Sequence, residues 1–133
     1  MSFTSTKQRV QVITAVLFLA VVALASRSGP EPGYTGAPND LGTCVACHDK
    51  HQLNEGPGSV RIQGLPEVYQ PGTSYNFTVT TAQSGRVRFG FQLTAISLTG
   101  ARAGTLSNAD FSTQVLGATG AGGRQYIEHT DPG

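Results

Sequence analysis

Seven residues stand out for their chemistry: Gly42-Thr43-Cys44-Val45-Ala46-Cys47-His48. They hold both cysteines of the chain and the first of its three histidines. Cys-x-x-Cys-His is the spacing that attaches a c-type haem. Two thiols three positions apart can each form a thioether to a vinyl group on one porphyrin edge. The next residue, His48, can then bind the iron as proximal ligand. Without the histidine the same spacing reads as a redox dithiol. Three other readings compete. Cys44 and Cys47 could form a small disulfide, which an exported protein permits. They could be a thioredoxin-like dithiol, although no βαβ pattern surrounds them. Cys44, Cys47, His48 and His51 could supply four zinc ligands. Adjacent Cys47 and His48 are awkward around one tetrahedral ion, so the haem and disulfide readings rank above the other two.

The elements that must position this motif follow from composition. The chain has 133 residues, enough for one domain. Its net charge is +1 and 13% of its residues are charged, with no basic stripe, which argues against a nucleic-acid partner. Glycine is abundant at 17, tryptophan is absent, and Val, Thr, Phe and Tyr fall in alternating runs. That is the composition of a loop-rich β domain.

The N-terminus has the layout of an export signal. Lys7 and Arg9 precede an apolar run from Val10 to Ala25, and Ala23-Leu24-Ala25 has a small-x-small cleavage form. Residues 1–25 are therefore read as a signal peptide, or as an N-terminal anchor if uncleaved; the run is short for a membrane span. Ser26 to Asp40, rich in Gly, Pro and Ser, reads as a flexible linker. Residues 41–133 form the domain that begins with the cysteine motif. A short helical turn is expected from Thr43 to His51.

From Ser59 the pattern changes to period two. Val60 and Ile62 alternate with Arg61 and Gln63 in a first strand. From Ser74 to Thr81, Tyr75, Phe77 and Val79 share one face, and Asn76, Thr78 and Thr80 the other. Arg86 to Ser97 is predicted to be the longest strand, with Phe89, Phe91, Leu93 and Ala95 on the core face. Ala103 to Leu106 and Thr113 to Leu116 read as short strands. In the last strand, Gln125 to Thr130, Tyr126 and Glu128 oppose Ile127 and His129. Short strands separated by Gly/Pro turns predict an all-β sandwich. The chain stops at Asp131-Pro132-Gly133, directly after a strand, which suggests a C-terminally truncated sequence with an exposed edge.

These segments together resemble the bacterial reelin-like domain, also called the choice-of-anchor V domain. The resemblance begins with Gly33-Tyr34-Thr35-Gly36-Ala37-Pro38, followed by Thr43 to His48. It continues through Gly58-Ser59-Val60, Gly64-Leu65-Pro66 and Tyr69-Gln70-Pro71-Gly72. It ends with Arg88 to Ala95, Ala103-Gly104-Thr105-Leu106 and Tyr126-Ile127-Glu128-His129-Thr130. It covers about Gly33 to the end. The resemblance implies an exported reelin-like β-sandwich; bacterial members often carry Cys-x-x-Cys-His and are described as haem-binding or cytochrome-like. Many also have a C-terminal sorting segment. Animal relatives occur in extracellular matrix and defence proteins, and beside membrane ferric reductases. This chain departs from the pattern at its C-terminus, where the family's Trp-rich final strands are missing.

A second iron ligand would have to come from the face opposite His48. His51 lies on the same side of the expected turn and reads as a solvated helix-end residue. Met1 is the sole methionine and falls in the signal. His129 is distant in sequence, lies on a strand and matches the family's Glu-His-Thr segment, so it is the candidate distal ligand. It reads equally as a strand histidine hydrogen-bonded at the sandwich edge. Arg86, Arg88, Arg102 and Arg124 could pair with haem propionates or be ordinary solvated charges. Asn76-Phe77-Thr78 matches a glycosylation sequon but reads as a strand's polar face. Gly120 to Gly123 lacks the Lys-Ser/Thr of a phosphate loop, and no nucleophilic triad is evident.

The leading expectation is an exported c-type cytochrome-like domain carrying covalent haem c on Cys44, Cys47 and His48. It would act in electron transfer in the cell envelope, in the periplasm, at the surface or secreted. Its partners would be the haem-attachment machinery and a redox protein, with no small-molecule substrate evident. The reading favours an electron carrier or binding module over an enzyme. The alternative is a cofactor-free adhesion or structural β-sandwich with a Cys44–Cys47 disulfide.

Overall fold

The computed structural model describes residues 28–117 and 121–131. The expected signal or anchor at 1–25 lies outside the described residues, as do 118–120 of the glycine-rich loop and the last two residues. The described chain is all-β, with two 3-10 turns, at Cys44–Ala46 and Ala121–Gly123. Five strands form two small antiparallel sheets.

The first sheet pairs β1 (Ser59–Gln63) with β2 (Thr78–Ala82). Val60, Ile62, Thr78, Val79, Thr80 and Thr81 are β-branched and suit a pleated ribbon. The register sets Val60 opposite Thr81 and Ile62 opposite Val79. Alternation holds from Tyr75 through Val79, where Tyr75, Phe77 and Val79 are half-buried and Asn76 and Thr78 exposed. It fails in β1, all of whose residues are exposed, Val60 and Ile62 included. Gly64, at φ 95°, ends β1 where its backbone passes Asn76; a Cβ there would lie 2.5 Å from the Asn76 carbonyl oxygen.

The second sheet has the order β3 (Gln92–Thr94), β5 (Tyr126–His129), β4 (Thr113–Leu116), with β5 in the middle. Its rows explain what the sheet can do. Leu93, Ile127 and Val115 lie side by side and put one apolar row on one face. Gln92, Glu128 and Gln114 form the neighbouring row, on the opposite face. Tyr126 and Ile127 are the buried apolar residues of the described chain, and Arg124 and Glu128 the buried charged ones.

Two strand expectations need correction. The predicted strand from Arg86 to Ser97 pairs as a strand only over Gln92–Thr94. Its upstream half is stopped by a side chain: the Phe91 N–H and carbonyl both face His129 Nδ1, at 3.1 and 3.2 Å, instead of a neighbouring strand. Downstream it folds back at once, with Ile96 bridged to Arg102 and the Ala103 N–H donating to the Ala95 carbonyl. The predicted strand from Ala103 to Leu106 is accordingly absent. Arg102 curls that segment by donating to the Gly104 carbonyl and Thr105 Oγ1, and the Leu106 N–H donates to Gln125 Oε1.

In the segment read as a linker, the chain from Ser28 onward is a strap tied across the second sheet. Gln92 Nε2 donates to the Glu31 carbonyl at 3.1 Å, and Gln92 Oε1 accepts from the N–H groups of Gly33 and Tyr34 at 3.2 and 2.8 Å. Gln114 Nε2 donates to the Ser28 carbonyl at 2.7 Å. Both amides also donate to the buried Glu128 carboxylate, each at 2.9 Å. A segment too rich in Gly and Pro to pair as a strand has its backbone groups satisfied by side chains instead. Gly29, at φ 94°, sits directly over Glu128, where any Cβ would overlap the carboxylate.

Candidate haem-attachment site

The cysteine motif hangs from the end of this strap. Gly33 to Gly42 forms a closed loop, with the Gly42 N–H donating to the Gly33 carbonyl and the Gly36 N–H to the Gly42 carbonyl. Asp40 fills its centre. Its Oδ2 accepts from the Thr35 N–H at 3.2 Å and from Thr35 Oγ1 at 2.5 Å. Its Oδ1 accepts from Arg124 Nη1 at 3.0 Å and from the Tyr126 hydroxyl at 2.7 Å. Both side chains of the Asp40–Arg124 pair are 1% exposed. Arg124 Nε also donates to the Gly100 carbonyl at 3.0 Å, so the guanidinium bridges the strap loop to the Ser97–Ala101 turn.

Burial alone would raise the Asp40 carboxyl. The hydrogen bonds from Thr35 and Tyr126 and the charge of Arg124 outweigh it and hold the group below its ordinary value of 3.8. Burial, then the bond to Asp40, push the Tyr126 phenol up, so it stays protonated and donating. The depressed carboxyl has a consequence for stability. The folded chain gives up this proton more readily than the unfolded chain, so the contribution is full above pH 3.8 and is lost as pH falls through the lower folded value. Acid titration followed by amide exchange should therefore show the Gly33–Gly42 loop opening below pH 3.8. In Asp40→Asn that acid-dependent step should be absent.

Four residues beyond Asp40 the motif begins. Thr43 is extended, and Cys44–Ala46 form a single 3-10 turn. The Ala46 N–H donates to the Thr43 carbonyl, and the Cys47 and His48 N–H groups both donate to the Cys44 carbonyl. The helical geometry does not run on to His51 as expected. Cys44 and Cys47 are exposed, free thiols, and His48 is exposed beside them. His51 lies 4.0 Å from Glu55, and Glu55 also accepts from the Gln52 N–H. Among the described residues no three His, Cys, Asp or Glu side chains are grouped to hold a metal ion, the arrangement that the four-ligand zinc reading requires.

His129 sits at the end of β5, its ring packed on Gly90 and tilted against Phe91 at a centroid distance of 6.4 Å. Its hydrogen bonds and ring contact involve Phe91, not Cys44, Cys47 or His48. Nδ1 either accepts from the Phe91 N–H, which puts the ring proton on Nε2, or donates to the Phe91 carbonyl, which leaves Nε2 the lone pair a metal-binding imidazole needs.

The donor set fits a covalently attached haem. Two exposed thiols one turn apart are accessible to a porphyrin edge, and an exposed imidazole follows directly. Asp40, Tyr126, Gln92, Gln114 and Glu128 hold the chain that leads into the motif and were not singled out as site residues; Arg124, weighed as a propionate partner, is instead buried against Asp40. A charged residue between Ile127 and His129 in an apolar strand was the available signal for Glu128. No family profile matches the chain, and neither a curated protein nor a solved structure shows significant similarity to it.

Proposed function

We propose that this chain is an exported, single-haem c-type cytochrome-like domain, built on a reelin-like β-sandwich and transferring electrons in the cell envelope. The observation that supports this most is the presentation of Cys44, Cys47 and His48. They are free and exposed on one turn, four residues beyond a carboxylate locked by a buried ion pair. Each thiol would add across one vinyl double bond, its sulfur to one carbon and its hydrogen to the other, so attachment would need no external oxidant. His48 would supply one nitrogen to the iron, and His129 is the proposed second ligand. Bound there, the haem would supply a reversible one-electron couple. The strap keeps the turn fixed relative to the sheet, which limits rearrangement when the charge changes.

Intact mass of the exported chain tests this proposal. The expected result is the mass of the processed chain plus one haem, with His48→Ala retaining the added mass but losing the native absorption spectrum. A mass short of the free-thiol chain by one hydrogen per cysteine, with no porphyrin, would instead indicate a disulfide-bearing adhesion or structural module.

A further inference from the structure

Of the four arginines weighed as propionate partners, Arg124 is consumed by Asp40 and Gly100, and Arg102 by Gly104 and Thr105. Arg86 and Arg88 remain. Both are exposed, and among the described residues neither guanidinium has a hydrogen-bond acceptor or an acidic partner. They line one cleft of about 380 Å³ together with Phe89, Pro57, His51 and Glu55. The Glu55 carboxylate is turned back to the Gln52 N–H and to His51, within its own turn. The free charge of the cleft is therefore positive, beside an apolar aromatic wall. A guanidinium fork matches a carboxylate in two parallel hydrogen bonds. The cleft also begins close to the motif, since His51 follows His48 by three residues, a span of at most about 10 Å.

We infer that this cleft takes the carboxylate edge of the haem, with Arg86 and Arg88 holding the propionates and Phe89 lying against the macrocycle. This assignment rests on the haem reading above. The titratable and charged groups facing the carboxylates are Arg86, Arg88, His51 and Glu55.

The test uses the haem-loaded chain, with loading verified by the porphyrin staying on the denatured polypeptide. Midpoint potential and the propionate bending band in the resonance Raman spectrum are compared for wild type, Arg86→Gln/Arg88→Gln, Arg86→Lys/Arg88→Lys and Arg61→Gln. Arg61 lies on β1 and does not line the cleft. Removing two positive charges near the propionates disfavours the added electron, so the glutamine pair lowers the potential and shifts the band. The lysine pair keeps the charge but loses the fork; it should shift the band and largely retain the potential. Arg61→Gln should change neither. A loaded glutamine pair indistinguishable from wild type in both readouts overturns the cleft assignment and leaves the haem reading standing. A wild-type chain that takes no haem overturns both.

Discussion

Asp40→Ala should destabilise the domain by about 3–5 kcal/mol, because it leaves the Arg124 guanidinium buried without its counter-charge. The buried pair itself need not add that much relative to an apolar pair; the cost arises from breaking one half. The substitution also removes the acceptor for the Tyr126 hydroxyl and for both Thr35 donors, so the Gly33–Gly42 loop loses its centre. The loss should reach the motif, since Gly42 and Thr43 connect that loop directly to the cysteine turn. Urea unfolding gives the first quantity. Amide exchange at Ala46, Cys47 and His48 gives the second, and protection there should fall with that of the loop. Unchanged protection in the turn, in a variant whose overall stability has dropped, would show that the turn is held by something other than Asp40.

Glu128→Ala should produce the other large effect. Its carboxylate accepts from Gln92 on one side and Gln114 on the other, at a site 1% exposed. Each amide keeps a strap carbonyl as acceptor but loses the carboxylate, and an amide hydrogen left unpaired at a site closed to water costs about 1–3 kcal/mol. Glu128→Gln restores volume but must present an NH2 group to one of the two donating amides, so it should recover part of the loss at most. The strap, held by these same glutamines, should detach before the sheet melts. Limited proteolysis would then cut between Ser28 and Asp40 while β3, β4 and β5 stay protected. Cleavage of wild type and Glu128→Ala at equal rates would contradict the strap's role.

The strands that could be read from the sequence were those with an unambiguous period. Thr113–Leu116 appears with the expected bounds, and Tyr126–His129 lies within its expected segment. Tyr75, Phe77 and Val79 share the half-buried face that their alternation predicts. What could not be read depends on partners distant in sequence. Nothing local marks Gln92 as the residue that binds the backbone of Glu31, Gly33 and Tyr34, some sixty positions away. A polar row in a strand reads as a wet face; here the strap covers it and its amides replace water. Gly and Pro between 29 and 36 correctly indicated backbone without regular structure, but regular structure and order are different properties. The early end of the predicted long strand likewise follows from one tertiary contact, His129 against Phe91. The grouping of Cys44, Cys47 and His48 was legible because the three are neighbours in sequence, and all three are exposed at one turn. Asp40, which fixes the loop before them, has no spacing rule to reveal it.

Covalent haem at the Cys44–His48 turn is decided by the haemochrome spectrum of the exported chain, made with the haem-attachment machinery present and purified under denaturing conditions. The haem absorbance should stay with the denatured wild-type chain and disappear in Cys44→Ser/Cys47→Ser. A denatured wild-type chain without haem, when a control cytochrome from the same cells is loaded, would contradict it.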